Sequence, residues 1–437
     1  MTLAPTESGT AIGAGTTSAR PRPAAPRAPG RVRNAAYITP NWFASVMGTG
    51  IVAVAASSLP VQSVALRTAA TVVWGVAGVL LLVVTAATVT HWVRHPAVAM
   101  GHHRHPVMRH FYGAPPMAVL TVGAGALLLG RDWIGLPAAV TVDWVLWTVG
   151  TVGGLLSAVL VPSVVLRRHD GPPAVPSGAW LMSIVPPMVS ASTGALLVPY
   201  APAGQARATL FWACWTLFGL SLAASSVVIV AVMGRLARHG SGAAGSVPTI
   251  WIVLGPIGQS ITAANLLATV APGVVDRDTA HALLVVALVY GFGMLGAALL
   301  WAAIAATITV GVARRHLPFS LTWWSFTFPV GTCVTGMNGL ALHSGLVAVD
   351  VLAVTAYAAL VAAWVVAAAR TLHGAVVPAR SSRPRTRHDA ARARSIQGAV
   401  RPAPDRRPPD GRLGARPPPS LQSGGYRGGA PRRAPPL

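Results

Sequence analysis

Side chains able to do acid–base, redox or metal chemistry are scarce in this chain and poorly grouped for it. Glutamate occurs once, at Glu7, and the two cysteines, Cys214 and Cys333, lie in separate apolar runs. They form no disulfide framework and no thiolate metal set, and read as small buried hydrophobes. Six histidines gather in one stretch: His91, His95, His102, His103, His105 and His110. Clustered imidazoles can hold a metal ion. Here they have no carboxylates beside them and no second cluster, since His169, His239, His281, His316, His343, His373 and His388 are scattered. A polar loop with some helix-end contacts is the preferred reading of His102–His110, and an integral membrane metalloenzyme is the alternative. No Ser/His/Asp spacing and no phosphate-cradling glycine loop stands out, which argues against ATP-driven work by this chain alone. No cofactor and no enzymatic activity are expected.

A second set of residues is polar but neutral. Ser190, Ser192, Thr193, Gln259, Ser260, Asn265, Thr332 and Asn338 lie within apolar runs, as do Gly48, Thr49, Gly50 and Gly123. The two acids in such runs, Asp143 and Asp350, are expected near the outer ends of their segments. Proton-coupled pumps usually carry intramembrane acid relays, and none is visible. A pathway lined by hydroxyls, amides and backbone dipoles, without fixed negative charge, suits an anion. Taken singly, each of these residues is more simply a helix–helix hydrogen bond.

The elements that must position them follow from composition. Of 437 residues, 53% are hydrophobic and only 10% charged, against about a quarter charged in soluble domains. Ten apolar segments can be drawn, near 41–59, 69–93, 114–130, 138–166, 178–199, 208–234, 248–271, 280–312, 319–344 and 347–370. That is an all-α polytopic membrane protein. The net charge of +23 is concentrated elsewhere: all 33 basic residues are Arg, five in residues 1–36 and 15 in residues 370–437. Both tails lack the apolar content to fold, so residues 1–37 and 373–437 read as disordered, flanking a transport domain at 38–372. The C-terminal tail is suited to anionic headgroups, and nucleic acid is not an expected partner.

Loop charge gives an orientation. Connections after even segments carry Arg94, Arg104 and Arg109; Arg167 and Arg168; Arg235 and Arg238; Arg314 and Arg315. Those after odd segments carry Arg67, Arg131, Arg207 and Arg277, two of them beside Asp132, Asp276 and Asp278. The positive-inside rule puts the even loops and both termini in the cytoplasm.

The odd segments also share a plan, with proline near the start, usually an early Trp, then a middle rich in Gly, Pro, Ser and Thr. Even segments are plainer Ala/Val/Leu runs. Five hairpins of a broken helix and a smooth one are expected to stack or close into a ring, with the broken helices facing one another around a pore. Close packing through small residues is the competing reading, and the pore is preferred across all five copies. In the last copy, residues 318–345, Pro329 is expected to kink the helix in mid-course, with Phe326 and Phe328 beside the break. That stretch alone fits a pathway wall or a kinked core helix.

The wording of five motifs, PNWFASVMGTGIVA (40–53), HPVMRHFYGAPPMAVLTVGAG (105–125), WLMSIVPPMVSASTGALL (180–197), PTIWIVLGPIGQS (248–260) and WWSFTFPVGT (323–332), resembles the tellurite-resistance/dicarboxylate transporter family. It is also called the voltage-dependent or slow anion channel family. Its members include bacterial tellurite-resistance-type anion channels, plant guard-cell slow anion channels, yeast malate permeases and fungal sulfite exporters. The resemblance implies ten helices in five hairpins, with the odd helices lining a central pore in the cytoplasmic membrane. It implies a pore-occluding phenylalanine in the ninth helix, for which Phe328 is the best match and Phe326 the second. It implies a homotrimer. GTGIVA and WWSFTFPVGT are closer to the dicarboxylate/sulfite branch, so the implied cargo is a small anion, a C4-dicarboxylate such as malate or sulfite.

Overall fold

The computed structural model describes residues 38–167 and 175–376. Of the tails expected to be disordered, residues 1–37 and 377–437, with Glu7 and His388, lie outside the described residues, as do Arg168 and His169 between the sixth and seventh helices, whereas residues 373–376 are helical. The chain divides into units Met1–Pro378 and Ala379–Leu437, and the described residues belong to the first.

Every regular element among the described residues is helical. In chain order the α-helices are α1 (Phe43–Ser57), α2 (Val64–Arg94), α3 (Pro96–Arg104), α4 (Ala114–Gly125), α5 (Arg131–Ile134), α6 (Leu136–Leu166), α7 (Leu181–Ile184), α8 (Pro186–Leu197), α9 (Gln205–His239), α10 (Leu254–Val270), α11 (Arg277–Ala313), α12 (Phe328–Ser344) and α13 (Val347–Val376). The last helix runs past the expected domain boundary at 372.

Two kinds of helix emerge. The long ones, α2, α6, α9, α11 and α13, are apolar on all sides and have no polar stripe for water. Only 17–22% of the most apolar window of each is buried. Val79, Leu82, Val227, Val289 and Leu300 stand exposed on them. A continuous apolar mantle of this size is stable against lipid tails and not in water. The stretches Met108–Ile134 and Ala244–Gly273 are instead 83% and 89% buried over the same window. Seven helical stretches are long and apolar enough to cross a membrane, and an eighth is a pair, Gly178–Ile184 with Pro186–Tyr200, bent by 48°. The chain is a multi-pass membrane protein. At 15 and 17 residues, α1 and α12 are shorter, but 3-10 turns at Pro40–Trp42 and Leu321–Phe326 lead into them.

The expected mid-helix kink at Pro329 is not found. Pro329 is the second residue of α12, after a 3-10 turn and a junction at Thr327. The first amides of a helix have no intrahelical acceptor, so proline there loses no hydrogen bond and its fixed φ suits the helix. Pro115 and Pro116 open α4 and Pro186 and Pro187 open α8 in the same way. Pro115, Pro116 and Pro329 thus stand where tight 3-10 backbone gives way to α-helix, and Pro186 and Pro187 stand at the 48° bend after α7. The one widened turn, a π-helical stretch at Ala126–Gly130, has a different cause. Trp74 of α2 lies where side chains on Gly125 and Gly130 would stand, and its indole N–H donates to Val122 O at 3.0 Å. The wide turn accommodates the ring.

Packing closes a ring. α1 touches α4, α4 touches α8, α8 touches α10, α10 touches α12, and α12 returns to α1. Outside it α2 packs on α1, α6 on α4 and α8, α9 on α8, α11 on α10, and α13 on α12 and α1.

Candidate functional site

The ring encloses two cavities in line. The larger, about 520 Å³, is lined by residues toward the C-terminal ends of the ring helices. They recur at helical spacing: Ile51, Val54 and Ser58 on α1; Val189, Ser192, Thr193 and Leu196 on α8; Gln259, Thr262, Asn265, Leu266 and Thr269 on α10; Thr335, Asn338, Gly339 and Leu342 on α12. Residues three and four apart share a helix face. Thr121, Ala124 and Leu128 complete the wall. It is reached past exposed Ser58, Pro60 and Leu342. The smaller cavity, about 20 Å³, lies at the N-terminal ends and is nearly all apolar, with Met47, Phe111, Met117, Leu181, Met182, Val185 and Ile252 in its wall. Phe328 lines both and is 3% exposed.

Each expected site residue has a definite place. Ser192, Thr193 and Gln259 line the large cavity, with Asn265 and Asn338. The others face neighbouring helices. Gly48 lies under Trp324 and Thr327, Gly50 under Thr121, and Gly123 against Asp143 and Leu146. Thr49 accepts from Trp364 Nε1 at 3.1 Å. Ser190 takes an indole N–H from Trp147 on its carbonyl, and Ser260 donates to Ile257 O at 2.8 Å. Thr332 donates to Pro329 O at 2.7 Å, next to Gly258 where the α10 and α12 backbones nearly touch. Phe326 lines neither cavity and packs edge-on between Trp251 and Trp323, at 5.7 and 5.8 Å. Thr335, which flanks Pro329 in the stretch expected to form a pathway wall, lines the cavity, and Thr121, Thr262 and Thr269 were missed. Stepping by three and four residues from Gln259 reaches Thr262, Asn265 and Thr269, so the signal was present.

Polar bonding limits what this wall can offer. Most of its hydroxyl protons are committed to helix carbonyls. Ser192 and Thr193 both donate to Val189 O at 2.9 Å, and Thr262 engages Gly258 O, Thr332 O and Thr335 Oγ1. The side-chain amides are different, because each carries two hydrogens. Gln259 Nε2 gives one to Ser192 Oγ, Asn265 Nδ2 one to Ile261 O at 2.9 Å, and Asn338 Nδ2 one to Ser58 Oγ at 2.8 Å. Each keeps a second donor for whatever occupies the cavity. No arginine lines it, and one carboxylate does, Asp350, at the outermost turn of α13.

Asp143 differs from its expected position near a helix end. It lies about two turns into α6, is 0% exposed, and neither carboxylate oxygen has a partner among the described residues. It abuts Gly123 outside the cavity wall.

The histidine stretch is assembled by ring stacking. His91 stacks on His102 at 5.3 Å, His103 on Tyr112 at 4.3 Å, and His110 on Trp180 at 5.5 Å. Face-to-face rings do not converge nitrogens on one point. Among the described residues no three His, Cys, Asp or Glu side chains are grouped to hold a metal, so the metalloenzyme alternative gains no support. Burial lowers the His102 and His103 pKa values from the ordinary 6.5, with neighbouring His91 adding to the effect at His102.

Known proteins place this architecture. The chain is 27% identical to an uncharacterized transporter of Methanocaldococcus jannaschii, over 68% of this chain and 82% of that one. It is 25% identical to a sulfite efflux pump of Arthroderma otae, over 76% and 90%, and 23% identical to a sulfite efflux pump of Trichophyton rubrum, over the same shares. The sequence profile of the voltage-dependent anion channel family matches residues 37–372. That span holds the ring, both cavities and the mantle, and the chain belongs to the voltage-dependent anion channel family of membrane transporters and channels.

Proposed function

We propose that this protein moves a small anion across the cytoplasmic membrane, with sulfite favoured over a C4-dicarboxylate such as malate because two relatives are named sulfite efflux pumps. Ten membrane crossings in five hairpins, α1–α2 through α12–α13, form the path, counting α1 and α12 with their 3-10 turns. The arginine-bearing loops and both termini face the cytoplasm, so the large cavity opens outward. The assembly is a homotrimer, as the family resemblance implies. Arginines at the cytoplasmic loops raise the local anion concentration. In the large cavity the amides of Gln259, Asn265 and Asn338 replace part of the ion's hydration.

The observation that carries this reading is Phe328, the residue common to a roomy polar cavity and a nearly closed apolar one. An apolar constriction blocks ions by excluding water, and the ring is its central element. The test is flux in proteoliposomes with sulfite, malate, nitrate, chloride and tellurite, with and without a pH gradient. Sulfite or malate flux that rises in Phe328→Ala supports the proposal. No flux of any anion from well-folded protein would sink it.

A further inference from the structure

The large cavity holds no basic residue in its wall, yet one titratable base touches two of its lining residues. His343, half-buried near the end of α12, has Nδ1 2.9 Å from Asn265 Oδ1 and Nε2 3.1 Å from Thr269 Oγ1. Asn265 Nδ2 donates to Ile261 O at 2.9 Å, which fixes its carbonyl oxygen toward the ring, so Nδ1 carries a proton. Thr269 has a single hydroxyl proton, and its Oγ1 lies 2.8 Å from Asn265 O, to which it donates. With a neutral ring, Nε2 and that carbonyl compete for it. With a protonated ring, Nε2 donates to Thr269, Thr269 donates to the carbonyl, and all three contacts are satisfied.

The surroundings are otherwise sparse in charge. Of the elements packed on α12, α1, α10 and the 3-10 segments Ala244–Val253 and Leu321–Phe326 carry no titratable side chain. α11 carries Arg277, Asp278, His281 and Tyr290, and α13 carries Asp350, Tyr357, Arg370 and His373. Of these, Asp350 shares the cavity wall and repels an anion there.

We propose that His343, held between Asn265 and Thr269, makes the large cavity an acid-enhanced anion-binding vestibule. The imidazolium offsets Asp350 at the mouth, and acid on that side raises occupancy by small inorganic oxyanions. This rests on the transport reading above and adds the residue that tunes it.

Nitrate is the right probe, because its charge does not change over the range in which histidine titrates. In planar bilayers, nitrate current is recorded while the pH on the side away from the arginine-bearing loops is lowered from about 8 to about 5.5. The wild type should gain about five-fold, the scale of one added charge near an ion in a partly solvated cavity. His343→Gln should lose most of that gain. His343→Lys should give high current at both pH values, and Asp350→Asn should keep the acid response. An acid response that survives in His343→Gln, or that disappears in Asp350→Asn instead, overturns the inference. A wild type that conducts nitrate without any acid response overturns the inference alone. No nitrate, sulfite or malate transport at any pH removes the transport reading and this inference together.

Discussion

The two cavities on either side of Phe328 are walled by successive parts of the same chain stretches, the smaller by α7, the 3-10 lead-ins and the first turns of ring helices, the larger by the ring helices farther on, and they could hardly differ more. The larger has about 520 Å³ and a wall with three amides and many hydroxyls; the smaller has about 20 Å³ and sulfur, methyl and aromatic groups. A cavity of about 20 Å³ has room for about one water molecule, so a hydrated anion fits the first and not the second. The backbone explains the contrast. Toward their C-terminal ends the ring helices leave the larger space between them. At their N-terminal ends 3-10 turns and glycine contacts draw the chains together, as at Gly113 against the Met182 carbonyl and Gly178 against the Thr249 carbonyl. Selection of the ion belongs to the open half, and closure to the tight half.

The strongest way to break this contrast is to wedge the tight half apart. A methyl group at Gly113 or Gly178 would overlap a backbone carbonyl that cannot rotate away. Gly178→Ala should lower stability by more than about 3 kcal/mol, read as loss of monodisperse protein in detergent or a large drop in melting temperature. Unchanged melting would show that the inner ends are loosely packed.

Next in size is the boundary itself. Phe328→Ala should raise anion flux about ten-fold, on the scale of about 1.4 kcal/mol removed from a barrier. Phe326→Ala should leave flux near wild type and lower stability by about 3 kcal/mol or less, because that ring is only partly buried between Trp251 and Trp323. The reverse pattern would move the gate two residues and dissolve the comparison. In the open half, Gln259→Leu keeps the size and removes the donor, and should reduce sulfite flux several-fold with little change in folding.

The smallest effect belongs to α3, the short helix that carries His102 and His103 where a polar loop was expected. Burial holds His102 and His103 below the ordinary value of 6.5, so the unfolded chain binds more protons than the folded one as pH falls below that value. Stability should therefore decline modestly from pH 6.5 toward the lowered folded values, and be unaffected well above 6.5. His102→Gln with His103→Gln should flatten that part of a melting-temperature-against-pH curve. An equal decline in the double variant would assign the acid sensitivity to other groups.

Much of this was legible in the residues. Continuous Ala/Val/Leu runs with almost no charge cannot be solvated by water, so the mantle helices followed from composition. Prolines before Gly-, Ser- and Thr-rich stretches marked the ring helices, because proline is best tolerated where a helix starts or breaks. Family membership was carried by five motifs in order. The effect of Pro329 was misjudged: proline reads as a kink when the helix is assumed to begin at Pro318, and as a start once Leu321–Phe326 winds as a 3-10 turn.

What only the folded ring decided is which way each polar side chain points. Ser192 and Ser190 are two residues apart on one helix, yet the first lines the cavity, while the second keeps its hydroxyl on Pro186 O and takes the Trp147 indole of α6 on its backbone carbonyl. Glycine at 48, 50 and 123 carries no chemical label that separates a pore wall from a helix contact. A helix turns about 100° per residue, so composition names the helices of a pathway, and the rotation of each, fixed by neighbours such as Trp74, Trp147 and Trp324, names the residues an ion would meet.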